Sequence, residues 1–333
     1  MPPRFLALVA VCGVTLLAAG CSDHSSQNSD SARDDASDLG ADASGLVDIT
    51  GAVFSRTDPS CAVYAGRYRA SVTDVGRNIV FAASVQVTSN ADGTCTISSN
   101  SIPNHDFNNM GAFANVTAEV SESFTIPVPA EASSTTPLSL QYDNAVFLNG
   151  VKLDQLAAAC YGVGNEPLGR EKIGCFTEGT PWRYDPMFAG NSFGTDHNNA
   201  HTQPDGAYHY HGDPRAMYDD AGQKASGVIG FAADGYPIYG PYIDDNGTIR
   251  KVTSGYVLRS GARASQSGEG AFPAGDYDGT FRDDYEWKAG AGDLDACNGM
   301  TRNGSYGYYV TSSYPWVMGC FRGTPHRSFS KRP

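Results

Sequence analysis

The stretch Asp205-Gly-Ala-Tyr-His-Tyr-His-Gly-Asp-Pro214 constrains this chain more than any other. Turn-forming residues bracket an alternation of tyrosine and histidine. On a β-strand, residues i and i+2 point to the same face. His209 and His211 therefore project one way, about 6–7 Å apart at the backbone, and Tyr208 and Tyr210 project the other. Two imidazoles on one face form a chelate for a divalent metal. His201, a short distance upstream, supplies a third ring.

The N-terminus reads as a targeting signal. Arg4 precedes a short apolar run, Phe5 to Leu17, which is too short to span a membrane and fits an export signal. Ala18-Ala-Gly-Cys21 resembles the lipobox of bacterial lipoproteins, although leucine is more usual where Ala18 stands. The resemblance implies that 1–20 is a lipoprotein signal, that Cys21 is lipidated, and that the protein is exported and membrane-anchored. Ser22 in place of aspartate favours the outer membrane by the same analogy. Residues 21–48 are Ser, Asp, Ala and Gly with seven aspartates and one arginine, Arg33. Such a segment buries too little apolar surface to fold and is expected to be an acidic, disordered tether. The net charge of −13 argues against nucleic acid as a partner.

Roughly 285 residues remain, enough for a substantial core. Six cysteines lie in this part: Cys61, Cys95, Cys160, Cys175, Cys297 and Cys320. In an exported chain they read as disulfides, and six cysteines allow 15 pairings. Order along the chain suggests Cys61–Cys95, Cys160–Cys175 and Cys297–Cys320. No close C-x-x-C pair favours zinc thiolate.

The strand signals are numerous. Asn78–Thr88 is long and β-rich, and Gly93–Ser99 follows an Ala-Asp-Gly turn as its hairpin partner. Phe124–Pro129 and Leu138–Tyr142 are further candidates. Asn149-Gly150 sits between apolar triplets as a second hairpin signal. Leu153 to Tyr161 is the best short helix candidate. Gly227–Ala233 reads as a buried strand, Tyr236–Ile243 as extended, Thr248–Leu258 as a strand after an Asp-Asn-Gly turn, and Gly304–Thr311 as a last strand. The expected fold is mainly β: one large disulfide-stabilised domain of sandwich or barrel type with long Gly/Pro-rich loops, with 49–98 as an N-terminal β region. Asp205-Gly-Ala-Tyr-His-Tyr-His211 also echoes Asn303-Gly-Ser-Tyr-Gly-Tyr-Tyr309. Either the two are a related pair of strands, one of them stripped of histidine, or both are a common opening for an aromatic strand.

His201, His209 and His211 carry the strongest chemical signal, and His105 offers a fourth ring. Asp106, Asp196 and Asp205 are candidate ligands or ring-orienting acceptors. The alternative is a hydrogen-bonded His/Tyr network without metal. Gly190-Asn-Ser-Phe-Gly194 matches the nucleophile elbow only in form, because no strand precedes it and no helix follows.

Asn198–Gly212 is similar to the signature of the YHYH-domain family. Ser99–Asp106, Ile229–Tyr239, Tyr277–Phe281 with Asp284–Glu286, and Leu294–Gly299 through Gly319–Pro325 fit the same family in the same order. The resemblance covers residues 99–329. It implies counterparts for His105, His201, His209, His211, Asp234 and the pair Cys297/Cys320. It implies no particular activity. Two departures stand out: Ala225 and Gly307 occupy positions where other members carry histidine.

The resulting expectation is an extracytoplasmic, lipid-anchored protein with a histidine-based site for copper or zinc, in a binding or carrier role. One alternative is a metal-dependent hydrolase or oxidase using an open three-histidine site, with Asp205 or Asp234 as base. The other is a non-catalytic glycan- or peptide-binding module whose aromatic face lies around 182–200.

Overall fold

A computed structural model describes residues 33–164, 173–267 and 271–331. The signal 1–20, Cys21 and the tether as far as residue 32 lie outside the described residues. Residues 33–333 form one compact unit. Alternating sequence becomes alternating burial first in the N-terminal sheet. Its strands are β1 (Leu46–Asp48), β2 (Gly66–Asp74), β3 (Ile79–Ser89), β4 (Cys95–Ser99) and β5 (Glu122–Ile126), paired in that order. Along β3, Ala83, Val85 and Val87 are buried while their neighbours face solvent, the period-2 pattern of a half-covered sheet. The boundary expected at 98/99 falls inside β4, and β5 lies beyond it in the same sheet.

Next come β6 (Thr136–Pro137), β7 (Ala145–Phe147), β8 (Lys152–Leu153), β9 (Ala200–Thr202), β10 (Tyr208–Tyr210), β11 (Val228–Ala232) and β12 (Pro237–Tyr239). They are followed by β13 (Tyr242–Asp245), β14 (Thr248–Lys251), β15 (Tyr256–Leu258), β16 (Tyr285–Trp287), β17 (Gly299–Arg302), β18 (Ser305–Tyr309) and β19 (Cys320–Phe321). Eight of these make the second sheet, in the order β17-β18-β12-β11-β7-β8-β10-β9. The pairs β13–β14, β15–β16 and β6–β19 are separate two-stranded ribbons. The two large sheets share one core, in which Val85, Ile97 and Phe124 of the first join Phe147, Tyr210, Ile229 and Tyr308 of the second. The fold is thus β-rich and sandwich-like, and neither large sheet closes into a barrel.

The second sheet is built twice. In the first half the β7–β8 hairpin pairs in parallel with β10 of the β9–β10 hairpin. In the second half the β11–β12 hairpin pairs in parallel with β18 of the β17–β18 hairpin. The halves meet antiparallel at β7 and β11. Across that seam Leu148 N–H donates to the Ile229 carbonyl (2.8 Å) and Ala233 N–H to the Asn144 carbonyl (2.9 Å). These bonds exchange under a pseudo-twofold that equates Asn144 with Ile229 and Leu148 with Ala233. The echo between 205–211 and 303–309 is therefore a pair of equivalent hairpin strands.

Four expectations change, the first being the strand read over Thr248–Leu258, which divides into β14 and β15 in different ribbons. Residues 33–48 are placed on the body rather than in a tether. Arg33 donates to the carbonyls of Ala216 and Tyr218, and β1 runs parallel to β2. Asp35, Asp42 and Asp48 each accept from the hydroxyl two residues on, at Ser37, Ser44 and Thr50. These local turns absorb polar groups that composition alone assigns to solvent. The helix expected from Leu153 to Tyr161 does not form, and the described residues contain no α-helix, only short 3-10 turns. Its backbone pairs sideways instead: Cys175 N–H to Ala158 O, Tyr184 N–H to Ala159 O and Tyr161 N–H to Trp182 O. Leu138–Tyr142 is not a strand beyond a single bridge at Tyr142. The disulfides join Cys61 to Cys95, Cys160 to Cys175 and Cys297 to Cys320.

Candidate metal centre

The β9–β10 hairpin sets His201 directly opposite His209. Directly opposed residues share a face, and His211, two residues beyond His209, shares it too. The three rings converge. His209 Nε2 lies 3.2 Å from His211 Nε2, which lies 3.0 Å from His201 Nε2. One ligand atom from each ring falls within 4.8 Å of the others, and all three residues are buried. Three nitrogens on one face of a tetrahedral zinc site, with bonds near 2.0–2.1 Å, stand about 3.3 Å apart. The cluster could hold a metal ion.

The protonation states suit that use. Burial drives His209 and His211 well below the usual histidine range, and their imidazole neighbours add to the effect. Neutral imidazole is the ligand form. His201 Nδ1 is 2.8 Å from the Phe193 carbonyl, so Nδ1 carries the proton and Nε2 turns its lone pair inward. Nδ1 of His209 and of His211 makes no hydrogen bond of good geometry among the described residues.

The cluster forms the floor of a cleft of about 430 Å³. Leu156, Ala157, Phe193 and the exposed ring of Phe176 form apolar walls, and Asp205, Gln203 and Lys331 supply polar groups. Beside it runs a chain of charges. Lys152, which pairs with His209 in register, lies 2.6 Å from Glu122 and 3.9 Å from Asp143. Lys331 lies 2.5 Å from Asp154 and 3.8 Å from Asp143. Burial pushes Asp143 up, against the pull of Lys152. Burial alone would lower Lys152, but Asp143 and Glu122 hold it high.

His105 does not join the cluster. Its Nε2 is 2.6 Å from the Tyr210 hydroxyl and its Nδ1 is 2.8 Å from the Asp106 carbonyl. Tyr210 lies on the opposite face of β10 from the histidines, so a ring bonded to that phenol is on the core side of the sheet. Of the other candidates, Asp196 accepts from Tyr208 (2.9 Å) and from Asn108 N–H, also on the tyrosine side. Asp106 accepts from Thr73 N–H. Asp205 caps the Ala207 turn at the cleft. Asp234 is tied to Tyr308 (2.6 Å) and Gly323 N–H (2.9 Å) in the second half-sheet and does not line the cleft. Of the aromatics expected to form a face near 182–200, Trp182 and Phe193 are buried while Tyr184 and Phe188 are partly exposed; Tyr208 and Tyr210 are buried, and Trp287 is exposed.

The charges around Asp143 escaped sequence reasoning. One signal was available: Lys152 interrupts the apolar Val151–Leu153 run, and a lysine inside a buried strand requires a carboxylate partner. Lys331 and Phe176 gave no such signal.

Fold and site together define a sandwich-like β-protein with a buried three-imidazole cluster at the floor of a cleft. A family model described as YHYH protein matches residues 123–323, and the chain belongs to that family. No curated protein and no solved structure matches it.

Proposed function

We propose that His201, His209 and His211 bind one divalent transition metal, copper or zinc, and leave a coordination position facing the cleft. The convergence of three buried Nε2 atoms carries this reading. Imidazole suits both metals. Equilibrium dialysis with elemental analysis tests it: one copper or zinc per chain is expected, and none in the double variant His209→Ala/His211→Ala. Absence of stoichiometric metal from the unaltered protein would sink the reading.

With His105 occupied elsewhere, the ligand set is three histidines, and the cleft leads to it. That supports a second reading, in which the metal activates water or oxygen in a hydrolytic or oxidative reaction. Asp154 and Asp205 are the carboxylates that line the cleft; Asp154 is paired with Lys331, which leaves Asp205 as the candidate base.

The N-terminal sequence supports export and anchoring through acylated Cys21 at the outer membrane. Mass spectrometry of the N-terminal peptide, with release from membranes in Cys21→Ala, tests that part separately.

A further inference from the structure

The pseudo-twofold gives the second half-sheet a cleft of its own, of about 660 Å³, independent of the metal site. Register fixes the correspondence. Met300 opposes Gly307 as His201 opposes His209, and Tyr309 stands where His211 stands. Parallel pairing of β12 with β18 puts Tyr239 in the place of Asp154.

Every donor of the histidine cluster has thus been replaced, and the replacements fit one another. A Cβ at Gly307 would come within 2.5 Å of Tyr239 Cε2, so glycine is what lets the Tyr239 ring lie across the strand. Tyr239 stacks on Tyr309 with centroids 5.1 Å apart and planes 19° apart. The Tyr309 ring is buried at the base of the platform, and Tyr239 is partly exposed above it. Around the platform the cleft is polar: Asp58, Asp244, Asn303 and Arg302 line it. Arg302 is steadied by the Asp244 carbonyl at 2.6 Å.

We propose that this cleft binds a neutral pyranose sugar, stacked on the Tyr239–Tyr309 platform with its hydroxyls on Asp58, Asp244, Asn303 and Arg302. The two faces of a pyranose present C–H groups that pack on aromatic rings. Its edge hydroxyls both donate and accept, matching a rim that offers carboxylates, an amide and a guanidinium. A wholly apolar ligand would strip water from that rim without replacing its hydrogen bonds. An ionic ligand finds no dominant charge, because Arg56 and Arg302 stand against Asp58 and Asp244.

The test titrates the full chain with cellotetraose, maltotetraose and chitotetraose, read by calorimetry and by saturation-transfer NMR. At least one should bind. Tyr239→Leu should weaken it about tenfold, the loss expected when a stacking ring is removed. Arg302→Ala, at a strand end and clear of the core, should weaken it several-fold with an unchanged circular dichroism spectrum. Failure of all three sugars to bind overturns the proposal, as does binding that both variants leave intact. Binding abolished by Phe176→Ala instead would assign the sugar to the histidine cleft and overturn it equally.

Discussion

Asn149 and Asp234 occupy the same turn position in the two half-sheets, and each holds the phenol of a strand tyrosine. Asn149 Nδ2 donates to the Tyr210 hydroxyl at 3.0 Å. Asp234 Oδ2 accepts from the Tyr308 hydroxyl at 2.6 Å. Each is followed by a glycine at positive φ, Gly150 at 81° and Gly235 at 89°, as the tight turn requires.

This equivalence assigns Asp234 a fastening role. Asp234→Ala takes the acceptor from the Tyr308 O–H and the Gly323 N–H, at a cost of about 2–3 kcal/mol in urea unfolding. Asp234→Asn keeps an oxygen to accept from Tyr308, although its counterpart Asn149 works as a donor, and should cost less than half as much. Neither variant should change metal uptake.

A pH experiment isolates His105. Burial holds it at about 4 in the fold, against 6.5 when unfolded. The unfolded chain therefore takes up the proton first as pH falls. Stability is lost between pH 6.5 and 4, by roughly 3 kcal/mol in full. Asp185, Asp196 and Asp213, each raised by burial to about 6, pull the other way below pH 6. Comparing thermal unfolding of the parent with His105→Asn cancels their contribution, and the variant should show a shallower acid decline. Metal stoichiometry should be unaffected.

Metal should act as a ligand of the folded state alone. At a free concentration 100 times its dissociation constant, copper or zinc should add about 2.7 kcal/mol to stability. A rise in melting temperature checks this. His201→Ala should abolish the rise, because it removes one of the three converging nitrogens.

Gly307 is expected to resist even a methyl group. Its Cβ would meet Tyr239 at 2.5 Å and the Pro237 carbonyl at 3.0 Å. Gly307→Ala should destabilise by about 1–3 kcal/mol through overpacking, read by chemical denaturation.

The site was legible where a short period governs it. Alternation along Tyr208–His211 gave the shared face, whereas the turn at Asp205-Gly206 that folds His201 back opposite His209 is seen only in the structure. His105 was misplaced because a motif fixes position along the chain and says nothing about which side of a sheet a neighbouring segment packs against. Hairpins were legible from Asn149-Gly150 and from Ala91-Asp92-Gly93, where turn chemistry is local. The pseudo-twofold was half legible. The strand pair at 205–211 and 303–309 keeps its tyrosines, whereas 144–154 and 229–239 share little beyond the turn glycine. Backbone pairing, which sequence does not spell, relates them. The helix assigned to 153–161 failed because Arg183, with its guanidinium on the Ala157 and Cys175 carbonyls, and the Cys160–Cys175 bridge hold that run extended.

The order of the disulfides bears on how the chain matures. Each cysteine of the folded body bonds to the next one along, across separations of 34, 15 and 23 residues. In the export proposed above, a chain threading N-terminus first into an oxidising compartment can close each bridge before the next pair of cysteines emerges. Among these six cysteines, an oxidant that simply joins neighbours makes the native set. The seam between β7 and β11, by contrast, awaits strands some 85 residues apart. Closure of these local loops does not depend on that seam, so the covalent and the sheet-level connections of the fold are separate.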